Sequence, residues 1–267
     1  MKTRLITAGI GIPFLIFVLA VRGWFAELML VVFTLIALNE YYKALSIKYE
    51  VCTWGGYFAA IAMWPLSRFM GVIDPLLLVA AAMGISMAGV ILGKNPTFPN
   101  AAVSVYPLLT CLMPMSMFMV MLNRDFGLVA GIALITMTFG ISFGSDGFAY
   151  LVGRKWGKHK LCPSVSPKKT IEGAVGGFAG SIVVALLVRL WFVLVFKMPM
   201  PGVPATILLA VLGSYFGQVG DLVASLLKRY TGIKDYGHVL PGHGGVMDRF
   251  DSVIFVLIVM YCYTLVL

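Results

Sequence analysis

Apolar runs of membrane-spanning length follow one another along almost the whole chain. A helix needs about 17–25 mostly apolar residues to cross a bilayer. Nine segments approach that length: 5–21, 24–42, 52–65, 73–92, 103–122, 126–143, 173–196, 206–226 and 252–267, the third being the shortest. No water-soluble fold could bury that much hydrocarbon. Of 267 residues, 60% are apolar and 12% charged, against about 25% charged in ordinary soluble domains. Mean hydropathy is +0.97. The expectation is an all-α, polytopic integral membrane protein with about nine transmembrane helices. A cytosolic globular protein, a disordered tail and a fibrous repeat are excluded. The first run has no clear small-residue cleavage site, and a second follows almost at once. It therefore reads as a retained span rather than a signal peptide.

Lys and Arg give the spans a direction. The N-terminal tail carries Lys2 and Arg4, and the second and fourth loops carry Lys43, Lys48 and Lys94. The sixth loop carries Arg154, Lys155, Lys158, Lys160, Lys168 and Lys169, and the eighth Lys228, Arg229, Lys234 and Arg249. The opposite side has only Arg22, Arg68, Arg124 and Lys197. Positive loops stay in the cytoplasm. The N-terminus and the two long C-terminal loops are thus expected there, in the cell's inner (cytoplasmic) membrane. The formal charge of +9 then points to anionic headgroups or nucleotides rather than to nucleic acid. The four cysteines are scattered, form no CxxC and read as packing residues.

The acidic residues Asp146, Glu172, Asp221, Asp235, Asp248 and Asp251 fall in or beside the two basic loops. The expected organisation is a transmembrane scaffold over 1–125 and a catalytic transmembrane region over 126–267. The first half reads as scaffold, dimer contact or lipid-facing wall, and a homodimer fits the chain's glycine-faced helices. Asp221 lies inside an apolar run, where a carboxylate is costly and by default functional. Asp248 and Asp251, three apart, share one face if helical, and Asp146 closes the sixth run. Four carboxylates at one membrane face suit a hard divalent cation such as Mg²⁺, which takes oxygen ligands and keeps waters and substrate phosphates. The plain structural reading of any one of these Asp residues is a helix cap or an ion pair.

Lys168 and Lys169, in Ser166-Pro167-Lys168-Lys169-Thr170 before a helix, form an anion site or, more plainly, a positive-inside anchor. No P-loop spacing occurs. Gly173, Gly176, Gly177 and Gly180 lie along one helical face, as do Gly213, Gly217 and Gly220. Small residues so spaced let membrane helices pack closely, which would fix the carboxylates indirectly. His243, in Gly242-His243-Gly244-Gly245, sits in a loop whose amides could wrap phosphate, and its ring could donate to phosphate or shuttle a proton. His159 and Arg189 read as structural.

The stretch Ser225-Leu226-Leu227-Lys228-Arg229, then Lys234-Asp235, then Pro241-Gly242-His243-Gly244-Gly245-Val246-Met247-Asp248-Arg249-Phe250-Asp251 resembles the signature of the phosphatidate cytidylyltransferases, or CDP-diacylglycerol synthases. Asp146 to Gly153, Gly157-Lys158-His159-Lys160 and Ser166 to Gly173 resemble the same family. The resemblance implies conversion of CTP and phosphatidic acid to CDP-diacylglycerol and pyrophosphate with Mg²⁺. It implies Asp221, Asp248, His243 and Lys228 as catalytic residues, and Asp221, Asp248, Asp251 and Asp146 as metal ligands, enough carboxylates for a second cation. Lys168, Lys169, Ser166, Arg229, Lys234, Gly244, Gly245 and Arg249 are implied as substrate-binding. The lipid phosphate is already an anionic nucleophile, so the chemistry asks for alignment and charge neutralisation more than for a strong base. Competing readings are an anion transporter, which needs polar residues through the full membrane depth, another CTP-linked lipid-headgroup enzyme, and a membrane scaffold.

Overall fold

A computed structural model describes residues 18, 21, 23–71, 74–123, 130–239, 242 and 244–266. The described chain is overwhelmingly helical. In chain order the elements are α1 (Gly23–Leu45), α2 (Trp54–Met70), α3 (Pro75–Ile91), α4 (Phe98–Pro107), a π-helical turn (Leu108–Leu112), α5 (Met113–Asn123) and α6 (Ala130–Trp156). They continue as β1 (Lys160–Cys162), β2 (Ser166–Thr170), α7 (Ile171–Val195), α8 (Val203–Thr231), α9 (Met247–Phe250) and α10 (Val253–Thr264). Among the described residues, five helical segments are long and apolar enough to cross a membrane: Gly23–Leu45, Phe98–Asn123, Gly131–Trp156, Ile171–Val195 and Val203–Thr231. The protein is a polytopic, all-α membrane protein. Pro75–Ile91 and Val253–Thr264 are shorter apolar helices. The last covers about 18 Å at 1.5 Å per residue, less than the hydrocarbon core. The expected first span, 5–21, lies almost wholly outside the described residues.

The chain divides into two compact units, Met1–Asn123 with Tyr230–Phe250, and Arg124–Arg229 with Asp251–Leu267. In the first unit α1 packs on α2, and α2 on α3. Local chemistry starts the helices. Asp74 Oδ1 accepts the amides of Leu76 and Leu77 at 2.8 and 3.3 Å with Pro75 at the first position of α3, where a missing N–H costs nothing. Thr97 caps α4 in the same way. Leu38, Tyr41, Met115, Met119 and Met121 are almost fully enclosed and make up much of this unit's core.

In the second unit α6 and α7 form the most extensive contact, and glycines make it so. A Cβ on Gly176 would lie 2.6 Å from Val152 Cβ, one on Gly173 2.8 Å from the Ala149 carbonyl, and one on Gly180 would run into the Phe148 ring. Gly213, Gly217 and Gly220 bring α8 against Val256, Ser252 and Phe255 in the same manner. Both small-residue faces read from the sequence are therefore helix contacts. Between them run buried hydroxyl pairs, Ser142 with Ser252 and Ser145 with Ser214, each at 2.8 Å. Outward, Leu187, Leu190, Trp191 and Leu194 of α7 are exposed, a surface suited to lipid chains.

Two local expectations change. The sixth span was expected to end at 143, with Arg154 and Lys155 in a loop. Instead α6 winds on to Trp156 and carries both in its last turn. Beyond 143 its apolar residues, such as Phe148 and Val152, still pack on α7, which holds the helix together after the hydrophobic run ends. The expected loop is an antiparallel hairpin of β1 and β2, with Lys160 opposite Thr170 and Cys162 opposite Ser166.

The close α6–α7 approach predicts that Gly176→Leu lowers thermal stability in detergent by about 1–3 kcal/mol or more. Gly84→Ala, in α3 with nothing near its Cβ direction, serves as the control and leaves it unchanged or slightly raised. Equal melting of the Gly176→Leu protein and wild type would contradict the contact.

Candidate active site

Because α6 continues past its apolar run, Asp146, Tyr150, Gly153 and Arg154 recur at helical spacing and line a cavity of about 320 Å³. Lys168 and Lys169 of β2 and Asp221 of α8 line the same cavity. The hairpin delivering the lysines is tied down at its base. Ile171 N–H donates to the His159 carbonyl at 2.9 Å. Thr170 Oγ1 accepts the Gly173 amide at 3.1 Å and caps α7. The Glu172 carboxylate accepts the amides of Lys158 and His159 at 3.1 and 3.2 Å and meets the His159 ring Nδ1 at 2.6 Å. At the turn, Arg229 Nε of α8 donates to the Val165 carbonyl at 3.4 Å. His159 thus has a structural partner, as does Arg189, whose Nε donates to the Pro201 carbonyl at 2.7 Å.

Three of the four expected metal carboxylates gather in this unit. Asp221 Oδ2 pairs with Lys169 Nζ at 2.6 Å, and its Oδ1 accepts the Ser225 hydroxyl at 3.4 Å. Asp146 Oδ2 accepts the Ser252 hydroxyl at 3.2 Å, and Asp251 Oδ1 accepts the Ser252 amide at 2.8 Å. Asp251 is 8% exposed. Burial above all, then the neighbouring Asp221 and Asp146 carboxylates, pushes its carboxyl well above the usual range, against the pull of Lys228. A Cβ on Gly220 would lie 2.6 Å from the Asp251 carbonyl, so that glycine lets the Asp251 backbone approach α8 beside Asp221. Three carboxylates share this neighbourhood with the ammonium groups of Lys169 and Lys228, and a cation bound among them would relieve the crowding that holds the Asp251 proton. Among the described residues, no three His, Cys, Asp or Glu side chains enclose a metal ion by themselves.

Of the remaining expected residues, Lys234, Gly244, Gly245, Asp248 and Arg249 belong to the first unit. Lys234 and Arg249 are exposed, and Gly244 has φ +86°, a left-handed backbone that favours glycine. Asp248 Oδ2 accepts the Tyr236 and Gly245 amides at 2.7 and 3.0 Å, so this carboxylate orders its own loop. Ser166 begins β2, half-buried, in the second unit. His243 lies outside the described residues. One residue that the sequence reading passed over is Glu40 of α1, whose carboxylate accepts the amides of Val246 and Met247. Its signal was the one used for Asp221, a carboxylate inside an apolar run.

Comparison with known proteins places this geometry in a family. The model of the cytidylyltransferase family matches residues 2–267. Phosphatidate cytidylyltransferase of Staphylococcus haemolyticus (strain JCSC1435) is 37% identical over 96% of each chain. That of Bacillus subtilis (strain 168) is 46% identical over 49% of this chain, and that of Staphylococcus aureus (strain COL) 50% identical over 48%. These two matches each span 47% of the relative's own length. With the match running from the first helix through the cavity to the last, the chain belongs to the cytidylyltransferase family.

Proposed function

We propose that the cavity of the second unit is where this enzyme joins CTP to phosphatidate, giving CDP-diacylglycerol and pyrophosphate. The observation that carries the reading is one cavity lined by the cations Arg154, Lys168 and Lys169 together with the carboxylates of Asp146 and Asp221. A phosphate oxygen of phosphatidate attacks the α-phosphorus of CTP. The bond from that phosphorus to the oxygen bridging to the β-phosphate breaks, and pyrophosphate leaves with the electron pair. The attacking oxygen is already anionic, so no base needs to stand beside it. The work of the site is to align two polyanions and offset their repulsion.

The side chains divide that work. Lys168, exposed on β2, and Arg154 meet phosphate oxygens at the cavity wall. Lys169 holds its ammonium at Asp221, beside the place where the phosphates arrive. Lys228 offsets the charge of Asp251, and Arg229, tied to the hairpin turn, steadies the strand that carries the lysines. The oxygen-only donor set of Asp146, Asp221 and Asp251, with the hydroxyls of Ser225 and Ser252, fits Mg²⁺, which is commonly held by one or two carboxylates and completed by waters and substrate phosphates. Asp221 and Asp251 would hold it, with Asp146 assisting, and the ion would neutralise charge on the transferring phosphates. Phosphatidate enters sideways from the inner leaflet and CTP from the cytoplasm, the side assigned by the basic loops.

Incubating purified protein with radiolabelled CTP, Mg²⁺ and phosphatidate is expected to give CDP-diacylglycerol and pyrophosphate in equal amounts. Release of CDP with a phosphorylated lipid would identify a lipid kinase instead, and solute flux in vesicles without CTP turnover would identify a transporter. Asp221→Asn should lower turnover by roughly a hundredfold or more while the protein stays folded and membrane-inserted. Near-normal activity would remove Asp221 from the site. Lys168→Ala should raise KM for CTP or for phosphatidate, and no change in either would leave Lys168 as a membrane-side anchor only.

A further inference from the structure

The first helix of the first unit carries a carboxylate that the chemistry above does not use. Glu40 is 3% exposed, near the end of the largely apolar helix α1. Both of its oxygens are engaged. Oε1 accepts the Val246 amide at 3.0 Å and Oε2 the Met247 amide at 2.8 Å. These consecutive amides open the short turn of helix α9 that carries Asp248 and Arg249. Two glycines make room for the carboxylate. A Cβ on Gly237 or on Gly245 would run into it.

The loop is bound to α1 at other points as well. Tyr41, the neighbour of Glu40, packs its ring edge-on against Tyr236 at 5.1 Å. Phe33, two turns earlier, lies against Phe250 at 6.1 Å. Within the loop, Asp248 Oδ2 takes the Gly245 amide at 3.0 Å and the Tyr236 amide at 2.7 Å. Successive amides are therefore shared out in order: Gly245 to Asp248, and Val246 and Met247 to Glu40. Two adjacent N–H groups that each take an oxygen of their own on one side chain call for an acceptor with two oxygens and no hydrogens. A carboxylate meets that requirement. A carboxamide would turn its own N–H₂ against one of the amides.

We propose that Glu40 is a positioning residue for the nucleotidyl transfer. From the N-terminal helices it fixes the backbone of residues 244–248, and so sets where the Asp248 carboxylate and the Arg249 side chain are presented. The inference rests on the proposed CTP–phosphatidate reaction together with the family resemblance, which implies Asp248 as catalytic and Gly244, Gly245 and Arg249 as substrate-binding. It assigns the N-terminal half a defined part in the reaction, beyond that of a scaffold.

The test uses full-length protein in detergent, as wild type, Glu40→Gln, Glu40→Asp and Gly237→Ala. The last crowds the same carboxylate from outside. Four quantities are measured: kcat, KM for both substrates, thermal unfolding, and hydrogen exchange of the amides of 244–248. In Glu40→Gln and Gly237→Ala, kcat should fall by roughly tenfold to a hundredfold with KM for CTP little changed. Exchange should quicken in this loop and not in α7. Glu40→Asp, which keeps two oxygens on a shorter stem, should recover part of kcat. Should Glu40→Gln fail to fold, Gly237→Ala carries the test. Wild-type kcat together with unchanged loop exchange in a folded variant overturns the proposal. If wild type itself makes no CDP-diacylglycerol, the functional reading fails, and unaltered loop exchange in the variants still decides against Glu40 separately.

Discussion

A carboxylate beside hydrocarbon is stable only where cations and hydrogen-bond donors offset its charge. The second unit meets that condition with very few groups. Lys169 faces Asp221, Ser225 donates to the same carboxylate, and Ser252 serves Asp146 and Asp251 with its hydroxyl and its amide. Burial, then the neighbouring carboxylates, leaves Asp251 reluctant to ionise. A further cation would relieve that crowding, and Asp146 and Asp221 line the same cavity as Lys168 and Arg154. On the proposed reading, this one cluster would serve both a divalent ion and the polyanionic substrates that accompany it.

Backbone proximity makes the cluster geometrically feasible. Side chains on ordinary membrane helices would keep α6, α7 and α8 too far apart for hydroxyls and carboxylates to meet. Gly173, Gly176 and Gly180 remove that spacing along α7, and Gly213, Gly217 and Gly220 remove it along α8. The Ser145–Ser214 and Ser142–Ser252 pairs at 2.8 Å follow from it. The hairpin adds what helices cannot, a short rigid arm that sets two adjacent lysines at the cavity wall. Its anchors, Thr170 and Glu172, belong to the first turn of α7, so the helix and the arm are positioned together.

What could be read from the sequence was whatever a periodic or local rule governs. Apolar runs marked the long helices, glycine spacing marked the two close contacts, and a lone Asp221 in an apolar run marked the cavity. The misses have different causes. The extension of α6 to Trp156 depends on packing against α7, which hydropathy does not register. The hairpin strands are too short, and too rich in lysine and proline, to stand out from a loop. The pairing of Glu40 with Val246 and Met247 joins residues more than two hundred positions apart. Spacing alone cannot reveal such a partner, although the burial argument applied to Asp221 would have flagged Glu40. The two backbone amides that Asp248 Oδ2 takes within its own loop belong to the same class, since a motif does not show which main-chain groups a carboxylate will meet.

The most direct measurement is uptake of Mn²⁺, an EPR-active stand-in for Mg²⁺, by purified full-length protein in the presence of a CTP analogue with a non-cleavable α,β linkage. Loss of the free-ion signal reports binding. The carboxylate cluster predicts saturable uptake by wild type, abolished in both Asp221→Asn and Asp251→Asn proteins that remain folded. Equal uptake by wild type and the two variants would contradict it.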